Sequence, residues 1–510
     1  MRTRLYLFLN RALYLIAAIL SFLILGLNLF FHTTVSYDVC EYVNVFGYLL
    51  PGLKMMVLTA GLFLLVWRFQ NALKKIRQEW LFLLFSAVYI VIASYLILNS
   101  NHVISADPFL VYQAALEVKA GDFSSFQPGG YIHCFPHQLG LLCYDALLTG
   151  IAQTPVVFFV VNTALTLGCN FICWKISMEL SQNRLVHLLT LFFSFAFLPQ
   201  LFLIMFAYGL LPGWFFLQLS FYFLLRFCRT GSWKHGLGML ASAAAAILLR
   251  KNNLIGLVAM VLYLLLQYLR VPRKRLLTAA LAVAVCMVLP GKLLRIGFET
   301  YTDAQLNEPT PSALWVAMGT NIDNRTSGPG WYDGTTYWVY ENNEPEADIA
   351  AMAKAMIDQN IDKIRQEPSK AAYFFRDKMI STWCEPLYQS IWSGPKPSDG
   401  QATTTPFLQA LYSGGHPEDV LENYAKWLSL TIWTGVCLFF LRGKADKADW
   451  QLMFGYLAGG ILFHFIWETK SQYVYPYVFS LLPFAACGFC HLIDRLESRR
   501  ESQKTQKLFS

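Results

Sequence analysis

"QLGLLCYDALLTGIAQ" (138–153) is the stretch on which the topology of this chain turns. It is apolar but short, and it carries Asp145. A helix that crosses a bilayer needs about 20 apolar residues. If this segment crosses, the basic loop "RFCRTGSWKH" (226–235) lands on the side opposite the other basic loops. If it lies in the interface as an amphipathic helix, every basic stretch falls on one side, as the positive-inside rule expects. The segment is therefore read as interfacial and not as a span.

The rest of the chain supports a membrane setting. Of 510 residues, 56% are hydrophobic and 16% aromatic, while only 14% are charged. A water-soluble protein carries nearer 25% charged residues. Apolar runs of spanning length recur at about 9–31, 45–67, 79–98, 156–178, 185–204, 210–228, 235–250, 253–270, 276–294, 424–441, 450–467 and 472–491. The first run follows "MRTR", exceeds a signal-peptide core and lacks a small-residue cleavage site, so it is expected to be a retained span. The expected fold is an all-α polytopic membrane protein of about twelve transmembrane helices, with both termini cytoplasmic. The net charge of +8 is accounted for by loops between spans: "RFQNALKKIR" (68–77), 226–235, "RVPRKR" (270–275), "RGKADKAD" (442–449) and the tail at 495–510. No nucleic-acid partner is needed to explain it. Eleven cysteines, mostly within the apolar runs, predict no disulfide framework.

This topology leaves two large outer regions. One spans about 100–155, within a transmembrane block at 1–298. The other, 299–423, is polar, with turns "TSGPGWYDG" and "SGPKPSDGQATTTP" and a helical stretch "EADIAAMAKAMIDQNIDKIRQEP". It is expected to form a small mixed outer domain before the last spans at 424–494.

Asp107 opens "SADPFLVYQAALEVKAGDF" (105–123) just after a span. Asp followed by Pro is a helix-start signature, with Asp as N-cap and Pro108 at the first helical position. A cap also holds a carboxylate rigidly, as a general base requires, so the two roles are compatible. In "YIHCFPHQLG" (131–140), His133 and His137 stand four apart, a helical ligand spacing that leaves room for a divalent metal. Pro136 breaks any helix there, which favours a tight turn with interfacial aromatics, beside Gln138. In "LLRKNNL" (248–254), Arg250 and Lys251 sit in an outer turn against the charge rule. Such a pair suits a phosphate or diphosphate, and equally snorkelling to lipid headgroups. "WETKSQYVYPY" (467–477) brings Glu468 and Lys470 beside Tyr473 and Tyr475, again at the outer face. Its aromatics alone suit an interfacial belt. "KMISTWCEPLYQSIW" (378–392) reads as an amphipathic, Trp-rich segment on the membrane surface.

In their order and sidedness these pieces resemble the GT-C membrane glycosyltransferases, such as the protein O-mannosyltransferases, the aminoarabinose transferases and the bacterial family 39-like enzymes. "SADPFLVYQAA" and "YIHCFPHQLG" resemble the family's first outer loop, with its Asp and Pro-containing stretch. "LLRKNN" resembles its basic middle turn, "ETKSQYVYP" its late motif, and "WVAMG" and "TWCEPLY" outer-domain motifs of Gram-positive members. The likeness runs from about 79 to 491. "MFAYGLLPGWF" (205–215) holds no acid where the family often has a second Asp, and Gln472 stands where it has Arg.

The resemblance implies inverting transfer of a sugar from a polyprenyl-phosphate donor to an envelope glycan, glycolipid or protein, on the outer face of the cell membrane. Asp107 would be the base. Arg250, Lys251 and Lys470 would hold the donor phosphate, and His133, His137, Gln138, Glu468, Tyr473 and Tyr475 would support substrate. Two other classes fit parts of the same pattern: a flippase for a lipid-linked saccharide, and a non-catalytic partner in envelope polysaccharide assembly. A flippase needs neither the large outer region nor an isolated loop acid.

Overall fold

The computed structural model describes residues 1–36, 41–306, 311–324, 327–341, 348–395, 403–441 and 449–509. The described chain is mostly helical, as its continuous apolar runs dictate: backbone polar groups in lipid must be satisfied within the segment. Seven helices are long and apolar enough to cross a membrane, and up to nine if each of two bent pairs is one span. The bends are 46° between Arg184–Ala196 and Pro199–Met205, and 47° between Ser471–Ser480 and Leu482–Gln503. The first bend falls beside Pro199, where a backbone donor is lost. This is a multi-pass membrane protein.

The deciding segment forms the helix Leu139–Ile151, of 13 residues. At 1.5 Å per residue it reaches about 20 Å, short of the hydrocarbon core. It packs against Ala106–Ala120, a second helix too short to cross. Asp145 is buried within this pair with neither carboxylate oxygen hydrogen-bonded to any described group. Burial pushes its carboxyl well up.

Contacts gather the basic stretches at one end of the bundle. Arg229 bonds both Glu179 and Asp449, at 2.7 Å each. Arg226 joins Glu179 at 3.1 Å, and Arg275 lies over the Phe227 ring. Arg184 donates to the Ile76 carbonyl, Gln70 to Glu497, and Arg500 covers Trp67. Residues 442–448 of the fourth loop lie outside the described residues.

The structure corrects the expectations at the other end. Where a mixed outer domain was expected, the regular elements between residues 303 and 415 in the described chain are helices: Ser312–Thr320, Thr335–Glu341, Ile349–Gln366, Pro368–Trp383 and Pro406–Tyr412. The one strand-type pairing of these described residues is an isolated bridge, Ser100 to Thr403. The turns expected at 326–334 and 393–406 lie partly outside the described residues. The segment 378–392 is not a surface helix. Its residues are buried almost throughout, because the chain turns back at Tyr388 and Gln389, whose φ angles are 52° and 53°. An antiparallel ribbon, Phe31–Val35 with Val43–Gly47, follows the first helix. It was not anticipated. The ten described cysteines are free thiols, and Cys40 lies outside the described residues.

Candidate functional site

Asp107 is not the N-cap of its helix. Ser105 takes that position, and Asp107 falls in the first turn. Its carboxylate is therefore not committed to a cap, and it faces a cleft. The residue before it, Ala106, has φ 58°, in the left-handed region that costs a non-glycine residue about 1–2 kcal/mol.

Two clefts meet at Asp107. One has a volume of about 430 Å³ and is walled by Arg250, Lys251, His137, Gln138, Trp315 and Glu468. The other has a volume of about 160 Å³ and is walled by Glu41, Ser105, Trp392, Ser393 and Gln472. Asp107, Tyr208, Lys470 and Tyr473 line both.

Arg250 terminates the helix Trp233–Leu249, and its guanidinium stacks on two rings, 5.5 Å from Tyr208 and 5.2 Å from Tyr473. Close backbone approaches place it there. A Cβ at Gly140 would stand 2.1 Å from the Leu248 carbonyl oxygen, and one at Gly209 equally close to that of Leu249. Only glycine permits both contacts. Tyr208 accepts a hydrogen bond from the Gln138 amide.

Lys470 precedes the helix Ser471–Ser480, and the chain leading to it is pinned by Trp315, Gly330 and Lys378. The Glu468 amide donates to Trp315 O at 2.8 Å, and the Thr469 amide to Gly330 O at 2.9 Å. The Lys378 ammonium donates to Gly319 O and Trp467 O at 2.6 and 2.7 Å. Ser471 donates to Glu385 at 2.6 Å, and Glu385 also accepts from the Leu387 and Gln389 amides. The "ETKSQ" and "TWCEPLY" motifs thus hold one another.

Lys470 donates to both oxygens of Glu41, at 2.8 and 2.7 Å. The Gln389 amide reaches the same carboxylate at 3.3 Å. Sequence reasoning missed Glu41. Its signal was an acid in the short loop after the first span, which the folded ribbon draws into the cleft.

The electrostatics follow from this packing. Asp107 is open to the cleft, yet protein lies close enough around it that desolvation raises its carboxyl; Lys470 opposes that shift and Glu41 adds to it. Glu468 is buried with Oε1 unpaired among the described residues, and desolvation lifts it to about 7. Desolvation pulls the Lys470 ammonium down, but Glu41 and Glu468 together hold it above its ordinary value. Burial, then Lys251, lower His137 to about 4, so its ring is neutral at pH 7.

Two expected supporting residues lie elsewhere. His133 is buried and lines neither cleft. The helix Tyr131–Cys134 ends before Pro136, so the four-residue spacing to His137 is not a shared helix face. Tyr475 is fully buried against Phe197, Trp214 and Tyr388. Two residues on from Tyr473, it points to the opposite side of the helix. Among the described residues no three His, Cys, Asp or Glu side chains group as a metal would require.

No family model matches the chain, and no curated protein matches it.

Proposed function

We propose that this protein is a GT-C-type glycosyltransferase that moves a sugar from a polyprenyl-phosphate donor to an envelope glycan, glycolipid or protein, with inversion. The observation that carries this reading is the meeting of Asp107 with Arg250, Lys251 and Lys470 at one cleft, at the end of the bundle away from the basic loops. These residues are separated by up to 363 positions in sequence, from 107 to 470.

In this reading Asp107 accepts the proton of an acceptor hydroxyl as its oxygen bonds to the anomeric carbon. The bond from that carbon to the phosphate oxygen breaks, and the electron pair leaves on the lipid phosphate. Arg250 and Lys251 meet the charge that develops there. Lys470, already paired with Glu41, is less a phosphate ligand than the counter-ion that keeps Asp107 ionised.

The topology belonging to this reading has twelve spans. They are the seven long helices, the two bent pairs, Trp233–Leu249, Gln451–Ile466 and the apolar part of His416–Phe440. The basic loops and both termini face the cytoplasm, and the clefts face outward.

Incubating the purified protein in nanodiscs with defined polyprenyl-phosphate sugars tests the reading. Transfer to an acceptor, or donor hydrolysis that requires Asp107, supports it. Movement of donor between leaflets without transfer makes the protein a flippase, and neither outcome makes it a non-catalytic partner.

A further inference from the structure

A different kind of space lies at the other end of the bundle, beside the basic loops. The helices Leu49–Leu73 and Gln78–Leu98 are joined by only four residues, 74–77, yet they pack little against one another. Helices joined by so short a turn ordinarily lie antiparallel and in contact. Here a cleft of about 300 Å³ is lined by both of them, and by Arg184–Ala196 and the last helix, Leu482–Gln503. Its walls are hydrocarbon, with Leu62, Val66, Phe85, Leu189, Phe192 and Phe489 among them. The hydroxyl of its deepest wall residue, Thr59, is already bonded to Thr431 at 2.8 Å. Water needs polar partners that such walls do not offer; an apolar cavity of about 150 Å³ stays dry and takes up benzene instead.

The cleft is elongated and ends at charge. Along the first helix it runs from Thr59 to Leu73, about 21 Å at 1.5 Å per residue. One leaflet contributes about 15 Å of hydrocarbon, so an acyl chain of that leaflet can lie in it. Leu73 and Ile76 line its end at the 74–77 turn. That turn is anchored: the Arg184 guanidinium donates to the Ile76 carbonyl at 3.3 Å, and the Gln78 amide to the Arg184 carbonyl at 2.8 Å. Lys74 donates to Gln70, which in turn bonds Glu497. Lys75 and Arg77 are exposed, and neither side chain makes a hydrogen bond or ion pair among the described residues. Against Glu79, the acid in the first turn of the next helix, they leave net positive charge at the mouth.

We propose that this cleft holds one acyl chain of an anionic phospholipid from the leaflet beside the basic loops, with its headgroup phosphate at Lys75 and Arg77. The chain fills the space that the two helices leave between them and braces one against the other. A zwitterionic lipid fits the walls equally well but gains less from the two cations. The site shares no wall residue with the clefts at Asp107, so it stands independently of the glycosyl-transfer reading.

The test is photolabelling of the full-length protein in detergent with a phosphatidylglycerol that carries a diazirine in one acyl chain. Unlabelled phosphatidylglycerol and phosphatidylcholine of the same chain length compete. The expected result is labelling within 59–73 and 188–193, displaced by phosphatidylglycerol at about tenfold lower concentration than by phosphatidylcholine. Lys75→Gln combined with Arg77→Gln should abolish that difference while labelling persists; both positions are exposed, so the fold is kept. Val66→Trp should fill the cleft and remove the labelling, with thermal unfolding in lipid-free detergent as the check that it folds. If that variant does not fold, the label positions and the charge variant decide alone. Labelling confined to other segments overturns the proposal. So does equal competition by the two lipids, a preference indifferent to the charge variant, or labelling that survives in folded Val66→Trp.

Discussion

Lys470 holds Glu41 through both carboxylate oxygens, at 2.8 and 2.7 Å; Lys470 lines both clefts that meet at Asp107, and Glu41 lines the smaller. A buried ion pair of this kind is poor evidence of stability, since desolvation offsets most of its attraction. Its consequence is electrostatic: one residue lowers the Asp107 carboxyl and the other raises it.

Replacing Asp107 with Asn removes the base while preserving shape. Transfer is expected to fall on the order of 10²–10⁴, with unchanged thermal unfolding and polyprenyl-phosphate binding. A purified single-turnover assay checks this, and an unchanged rate refutes Asp107 as the base.

The pH profile carries a sign. Only ionised Asp107 accepts a proton, and desolvation raises its carboxyl, so the acid limb of the rate should lie above the ordinary carboxylate range. Glu41→Gln removes a raising influence and should move that limb to lower pH. Lys470→Met removes a lowering one and should move it higher. Rate–pH curves for the three proteins decide it, and shifts in the same direction would be inconsistent with this geometry.

Arg250→Ala should cost on the order of 10²–10³ in transfer, the usual loss for one charge-stabilising donor. Arg250→Lys should recover only part of it. An ammonium keeps the charge but cannot stack as the guanidinium does on Tyr208 and Tyr473. Single-turnover transfer by both variants measures this.

Gly209→Ala should damage the site by displacing backbone. Its Cβ would lie 2.1 Å from the Leu249 carbonyl oxygen, so the turn carrying Arg250 must shift. A displacement near 1 Å costs about 10² in rate. Gly150→Ala, with nothing within 4 Å, is the matched control and should leave the rate unchanged.

Lys378 makes stability depend on pH. Burial lowers its ammonium to about 7, against 10.5 ordinarily. Between these values the unfolded chain binds the proton and the folded chain does not. Stability should therefore rise as pH goes from about 7 to about 10. Lys378→Met should lose that rise and unfold at lower temperature, since the Gly319 and Trp467 carbonyls lose their donor. Thermal unfolding in detergent across this range tests both.

The residues legible in sequence were those that broke a rule. Asp107, Arg250, Lys251, Glu468 and Lys470 are charges set beside apolar runs and away from the basic loops. All five line the larger cleft. His133 and Tyr475 were chosen for their neighbours in sequence, and helix geometry turned each away from the cleft. Trp-rich 378–392 reads as amphipathic along the chain, but two left-handed residues fold it back into the core.

The sequence alone determined the helical, multi-pass architecture and the grouping of the basic loops. Both depend on local quantities: the length of an apolar run and the charge between runs. Only the tertiary structure decided that Glu41 pairs with Lys470, that Asp107 stands where two clefts meet, and that glycines at 140 and 209 admit the Arg250 turn. These are contacts between residues distant in the chain, and their existence depends on how close two backbones can pack, which no local pattern encodes.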